Sequence, residues 1–417
     1  MKKVELLSPA GTLKNMRYAF AYGADAVYAG QPRYSLRVRH NDFNKLTHLE
    51  TGIKEAHAQG KKFYIASNIF PHNTKLKTFL TDITPIIEMQ PDALIMADPG
   101  LIMTVREYWP QIPIHLSVQA NTMNYATVNF WQNFGLTRII LSRELSLEDI
   151  AEIRQKCPNI ELEVFIHGAL CIAYSGRCLL SGYMNHRDAN QGACTNSCRW
   201  NYKVHAAKEN ESGAYLLEEE QRPGEYMPIF EDEQGTYIMN SKDLRAVQHV
   251  GKLIEIGIDS LKIEGRTKSY YYVAQTTKVY RQAMDDTVSG KPFDMRLMRE
   301  LDKLANRGYT EGFYRRHTPE EYQNYLSGDS NNRQQFVGEI LDYDKKTQLL
   351  KIAVKNRFSV GENLELMHPQ GSFHFILEHL ENQKGESISV APGSGHTVHI
   401  HLRVEGNMEY GLLLKNL

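Results

Sequence analysis

Eight short apolar runs recur through the first 270 residues, at 4–7, 24–28, 62–66, 93–96, 112–116, 138–141, 162–166 and 260–263. Most are separated by stretches with the spacing of amphipathic helices, such as 12–22, 45–59, 76–89 and 147–155. Near-continuous apolar strands alternating with helices require a parallel sheet buried on both faces, because every crossover lays a helix on it. Eight such units predict an α/β fold closed into a (β/α)8 barrel of the TIM type. The first seven strands begin roughly 20–40 residues apart, the period of a βαβ unit. The step from the seventh to the eighth is far longer, which predicts an insertion at about 169–240.

A second unit is expected after a helical region near 270–325. The stretch Leu-Ser-Gly-Asp-Ser-Asn-Asn at 326–332 reads as a linker. Beyond it, short alternating runs at 335–340, 350–354 and 363–367 with Gly and Asn turns predict a small antiparallel β-barrel. The barrel domain is therefore placed in residues 1–325 and the C-terminal domain in 333–417. The phrase from Val354 to Glu362 is similar to the second domain of translation elongation factors, a likeness of fold only.

Charge and hydropathy narrow the function classes. Basic residues number 48 and acidic residues 49, a net charge of −1, which excludes a polybasic nucleic-acid coat but leaves room for a local basic groove. The mean hydropathy of −0.46 and the lack of any long apolar run argue against a membrane-spanning helix. The opening Met-Lys-Lys-Val-Glu-Leu-Leu lacks the apolar stretch of a secretory leader, so the expected address is cytoplasmic.

In a barrel of this kind the carboxyl ends of the strands face the active-site mouth. Those ends read Ser8-Pro9-Ala10-Gly11, Tyr28-Ala29-Gly30, Ser67-Asn68, Asp98, Ser117 to Asn121, Ser142-Arg143, His167-Gly168 and Lys262 to Arg266. Arg37, Arg39 and His40 follow the second strand and add a basic rim, extended by Arg143, Lys262 and Arg266. Guanidinium groups suit a carboxylate or a phosphate because their planar donors bind either in bidentate fashion. Pairing with nearby Asp42, Glu144 and Glu264 is the plainer account of the same residues. Arg37, Arg143, His167, Lys262, Glu264 and Arg266 are the candidate catalytic residues.

Five cysteines are present, and four of them, Cys171, Cys178, Cys194 and Cys198, fall within one 28-residue window. A disulfide pair is disfavoured in a reducing compartment. A structural zinc usually uses CxxC knuckles, and neither pair here is one. An iron–sulfur cluster accepts looser spacing, and Gly168, Gly176, Gly182 and Gly192 would let backbone N–H groups approach its sulfurs. On the residues alone, iron–sulfur, zinc and no metal all stay open. Cys157 lies apart and reads as a plain thiol.

The run from Glu163 to Ser181, Glu-x-Phe-x-x-Gly-Ala-Leu-Cys followed by Gly-x-Cys-x-Leu-Ser, resembles the signature of peptidase family U32. Ser8-Pro-Ala-Gly11 and Leu261-Lys-Ile-Glu-Gly-Arg266 resemble that family too, and the likeness spans essentially the whole chain. Within the family the chain is most similar to a branch that modifies tRNA, through Leu6 to Asn15, Tyr28 to Tyr34 and Phe230 to Glu233. The stretch between Arg199 and Gln221 looks shorter than in that branch. The resemblance implies oxygen-independent, prephenate-dependent hydroxylation of the anticodon wobble uridine of tRNA to 5-hydroxyuridine. It also implies a 4Fe-4S cluster held by Cys171, Cys178, Cys194 and Cys198, and relatives that act on ribosomal RNA and on the ubiquinone ring.

Two other classes compete. A peptidase is suggested by the family name, with Cys171 or Cys178 as nucleophile and His167 as base. Yet no G-x-S-x-G or H-E-x-x-H is present, and no third triad member stands out. A non-catalytic tRNA-binding factor is the other. For RNA contact, Tyr28, Tyr34 or Trp200 is expected to stack on a flipped base, and Lys351, Lys355 and Arg357 to meet the tRNA body. Core packing is the plainer account of Tyr28 and Trp200, and a solvated strand face that of Lys351, Lys355 and Arg357.

Overall fold

The chain is described by a computed structural model. It describes residues 3–36, 42–170, 242–306, 308–315 and 334–417, with single residues and short strands between 195 and 236.

Eight parallel strands close on themselves: β1 (Glu5–Pro9), β2 (Ala26–Gly30), β3 (Lys62–Ser67), β4 (Ala93–Met96), β5 (Ile114–Leu116), β6 (Arg138–Ile140), β7 (Glu161–Ala169) and β8 (Ser260–Ile263). Each pairs with its neighbour in order, and β8 bonds both to β7 and to β1 (Glu5↔Ser260), which closes the ring. All eight apolar runs thus become barrel strands. They are buried along nearly their whole length, as strands covered by helices outside and side chains inside must be.

The intervening helices start where the sequence supplies caps. Thr12 accepts a hydrogen bond from the Asn15 amide at the start of α1 (Leu13–Ala21). Helices α2 (Leu46–Ala58) and α3 (Asn73–Glu88) follow. Asp98 caps α4 (Pro99–Tyr108), with a proline in the first turn, and Asn124 caps α5 (Tyr125–Asn133). Ser146 and Asp149 form a reciprocal capping box on α6 (Leu147–Lys156). After α7 (Val250–Ile256) and β8, Ser269 caps the 19-residue α8 (Tyr270–Val288), whose inner face packs on the closing strands.

The chain does not pass straight from β7 to α7. A strand at Asp243–Arg245 returns antiparallel to the end of β7, pairing Asp243 with Ala169 and Arg245 with His167. Within the inserted region, Tyr202–Ala206, Tyr215–Glu219 and Tyr226–Ile229 form a three-stranded antiparallel sheet.

The C-terminal domain is an antiparallel seven-stranded sheet. It runs, in spatial order, Gly371–Ile376, Asn363–His368, Leu412–Asn416, Gln334–Asp344, Leu349–Val354, Thr397–His401 and Glu381–Asn382. It curls around its own core of Val337, Ile352, Leu364, Leu366, Val398 and Leu413. The domain docks on α1 and α8. Met367, Leu412 and Leu414 join the barrel's apolar cluster, and the Tyr22 hydroxyl donates to the carbonyls of Met367 and Tyr410.

Candidate active site at the barrel mouth

Charged residues inside apolar strands must find partners, and here they find one another. Glu5, Arg138, Glu163 and Lys262 point into the barrel. Arg138 Nη1 lies 2.6 Å from Glu5 Oε1 and 3.0 Å from Glu163 Oε2, and Lys262 Nζ lies 2.8 Å from Glu163 Oε1. The Tyr64 hydroxyl and Ser260 Oγ donate to the two oxygens of Glu5 at 2.7 and 3.1 Å. Burial pushes the Glu5 carboxyl up, but Arg138 beside it wins and holds it below the usual range. Burial depresses the Lys262 ammonium, opposed by Glu163, and it depresses the neighbouring His115 well below its ordinary value. Two carboxylates thus face two cations, and at the edge of the layer Glu161 also accepts from Arg138 at 2.8 Å while Lys62 lies 3.5 Å from Glu5.

Above this layer the strand ends build the mouth. Lys262 Nζ sits 4.3 Å from the centre of the Tyr28 ring, and the Arg266 guanidinium lies 5.6 Å from it. The Tyr28 hydroxyl donates to the Ile263 carbonyl (3.0 Å) and to Glu264 Oε2 (3.2 Å). Burial, then the Glu264 charge, raises that hydroxyl's pKa well above normal, so Tyr28 stays a donor. From β6, Arg143 lies over the Phe165 ring at 3.9 Å and donates to the Ala169 carbonyl at 3.2 Å, with Glu264 Oε2 at 3.9 Å. Arg266 Nη1 donates to Ser35 Oγ at 2.6 Å. Gly30 makes room for it: a Cβ there would stand 2.8 Å from Arg266 Nη1. Arg143, Glu264, Arg266 and Tyr28 therefore converge beside Ala169, two residues before Cys171.

Three residues picked out from the sequence lie elsewhere than at the rim of the mouth. His167 does not face the mouth. The β7–β8 register slips between Phe165 and His167, which oppose the consecutive residues Lys262 and Ile263. This bulge sends the two side chains to opposite faces of the sheet. Phe165 points inward under Arg143, whereas His167 lies outside the ring against α8, among the rings of Tyr272, Tyr280 and Tyr309. The Tyr280 hydroxyl donates to the Ile166 carbonyl (2.7 Å), so it accepts from His167 Nδ1 (3.3 Å). Burial pulls the His167 pKa down to about 3.

Lys262 is the second case. It is 3% exposed and belongs to the interior ionic layer, forming the floor under Tyr28 instead of the rim. Tyr34 is the third. It is fully buried against Phe79, with its hydroxyl on the Lys75 carbonyl, Thr78 and Asp82, and is a core residue with no face for a base.

Residues 11–324 match the model for Peptidase family U32, and 332–415 match that for the Peptidase family U32 C-terminal domain. The chain belongs to peptidase family U32. It is 61% identical over 443 residues to tRNA hydroxylation protein P of Escherichia coli (strain K12), covering 100% of this chain and 97% of that protein. Identity to tRNA hydroxylation protein P of Haemophilus influenzae is 58%, over 100% of this chain and 96% of that protein. The 23S rRNA 5-hydroxycytidine C2501 synthase of Escherichia coli is 34% identical across 68% of this chain and 39% of that protein.

For a U32 chain the peptidase question turns on a base. A histidine that activates a thiol needs an accessible nitrogen and a pKa near the working pH. His167 has neither, since it is 1% exposed and held neutral. Arg37, Arg39 and His40 lie outside the described residues, as do Cys171, Cys178, Cys194 and Cys198. Cys157 is buried, its thiol facing Asn129 Oδ1 and the Tyr125 carbonyl. Lys355 pairs with Glu339 at 3.7 Å, while Lys351 and Arg357 are exposed. No helix among the described residues is long and apolar enough to cross a membrane.

The interior set Glu5, Arg138, Glu163, Tyr64 and His115 is what reading the sequence for strand ends missed. The signal was present: each charge interrupts an otherwise apolar strand, and an unpaired charge cannot be buried there.

Proposed function

We propose that this chain hydroxylates tRNA, converting the wobble uridine to 5-hydroxyuridine in an oxygen-independent, prephenate-dependent reaction in the cytoplasm. The observation that carries this reading is full-length similarity, at 61% and 58% identity, to two proteins named for tRNA hydroxylation. The 34% likeness to an rRNA hydroxycytidine synthase supports the same chemistry on a pyrimidine base.

Four thiols in one window opening from the end of β7 fit a 4Fe-4S cluster by the chemistry of the donor set. Cys171, Cys178, Cys194 and Cys198 would hold it. When bound, such a cluster supplies one-electron transfer.

The remaining work falls to this chain's own side chains. Arg143 and Arg266 bind the carboxylates of prephenate or an RNA phosphate by charge-assisted hydrogen bonds. Glu264, fixed by the Tyr28 hydroxyl and facing Arg143, orients that guanidinium. The Lys262–Glu163 pair beneath Tyr28 closes the floor to water.

The test is nucleoside mass spectrometry on tRNA from a deletion strain. Loss of 5-hydroxyuridine, restored by the wild-type gene and not by Cys171→Ala, is expected, and Cys171→Ala protein prepared without air should lack visible absorption. Arg266→Ala should keep that absorption and need about 10–100-fold more prephenate, the cost of one charge-assisted bond. Unchanged 5-hydroxyuridine in the deletion strain overturns the proposal.

A further inference from the structure

The far edge of the C-terminal sheet carries a second cluster of ligating side chains, remote in sequence from the cysteines. There Glu381–Asn382 pairs antiparallel with Thr397–His401, Glu381 opposite His399 and Asn382 opposite Val398. Carrying that register two residues beyond the last pair sets His379 opposite His401. Because side chains alternate along a strand, residues 379, 381, 399 and 401 share one face. The side chains bear this out: the Nε2 atoms of His379 and His401 each lie 3.1 Å from the same oxygen, Glu381 Oε1. Their rings stand 5.8 Å apart at 37°. One ligand atom from each of the three residues lies within 4.8 Å of the others.

We propose that His379 Nε2, His401 Nε2 and Glu381 Oε1 bind a divalent first-row transition ion of the zinc class, with water completing the shell. Two imidazole nitrogens and one carboxylate oxygen form a three-ligand set that suits zinc and leaves one position to solvent. Calcium and magnesium prefer all-oxygen shells and are disfavoured. Both histidines are about half exposed, so the ion has an open entry path. In this structure the imidazoles converge on one oxygen by hydrogen bonds; the ion replaces those two contacts with shorter ligand bonds. Its structural effect is local. Glu381–Asn382 is the terminal strand of the sheet and is held there by only two paired residues. An ion bridging Glu381 to His401 pins this edge strand to its neighbour.

The test uses the full chain with its cysteine site loaded and kept free of air, so that the thiols do not compete. Equilibrium dialysis against Zn2+ with elemental analysis should give one more bound zinc in the wild type than in the double variant His379→Ala, His401→Ala. Glu381→Gln, which preserves shape, should weaken that zinc at least tenfold. Zn2+ should raise the melting midpoint of the wild type and leave that of the double variant unmoved. Equal zinc content and affinity in all three proteins overturns the site.

Discussion

Two histidines in the barrel wall are kept neutral by their surroundings, and this has a consequence for stability. His115 and His167 are both driven below their ordinary value by burial, His167 to about 3. A group whose folded pKa is depressed contributes stability that is fully present above its unfolded pKa. That stability is lost as pH falls, because the unfolded chain takes up protons the folded chain refuses. The window therefore opens near 6.5, the unperturbed histidine value, and extends downward with a limiting slope of about 1.4 kcal/mol per pH unit for each histidine. Glu5, also depressed, adds to the same trend only below its ordinary carboxylate range. Thermal midpoints measured from pH 7 to pH 5 should fall steadily in the wild type. The slope should flatten in His115→Gln, His167→Gln protein, and an identical slope would contradict the burial argument. The same residues show what a sequence can convey. That His167 closes an apolar strand was legible; that it faces α8 was not, since its face depends on pairing with a strand almost 100 residues away.

At the scale of elements, all eight barrel strands were legible because apolar runs and helical spacing are local signals. The bulge was not, because Val-Phe-Ile-His-Gly-Ala reads as one continuous strand and slips only against β8. Of the candidate site, Arg143, Glu264 and Arg266 could be read as strand-end residues, while the inward ionic layer needed the closed ring to explain it. Gly168 ties these levels together. Its φ is +106°, and a Cβ on it would stand 2.4 Å from the Glu264 carbonyl oxygen. Gly168→Ala must strain its own backbone and displace the end of β8, which carries Glu264 and Arg266. A loss of about 1–3 kcal/mol is expected from the backbone alone. A fall in product formation larger than the loss of folded protein should accompany it. Gly361→Ala is the control: its φ is +88° but a Cβ there meets nothing within 4 Å. It should cost stability of similar size without touching activity. If the two variants behave alike in an activity assay normalised to folded protein, the close approach at Gly168 has no bearing on the site.

The whole molecule depends on how the two domains are locked, and one carboxylate sits at that junction. Glu339, on the first strand of the C-terminal sheet, accepts from Lys14 at 2.5 Å and Tyr270 at 3.0 Å through Oε2, and from Tyr18 at 3.1 Å through Oε1. All three donors belong to the barrel domain. Burial pushes the Glu339 carboxyl up, but the Lys14 bond and the two tyrosine hydroxyls prevail and hold it below the usual range. Around it, Tyr18 packs edge-on against Tyr410, and Tyr271 stacks on Phe336, so aromatic area from both domains covers the charge. Replacing Glu339 by Gln keeps the shape and removes the charge, weakening three bonds at once. Lys14 is partly exposed, so solvent screens its share, and a loss of about 1–3 kcal/mol is expected instead of the larger cost of a dry pair. Because the bonds join domains with separate apolar cores, the loss should show as uncoupling. Calorimetry should find one unfolding transition in the wild type and a broadened or split one in Glu339→Gln, with the C-terminal domain and the barrel melting apart. Traces that superimpose would mean that the apolar seam of Met367, Leu412 and Leu414 holds the domains without help from Glu339.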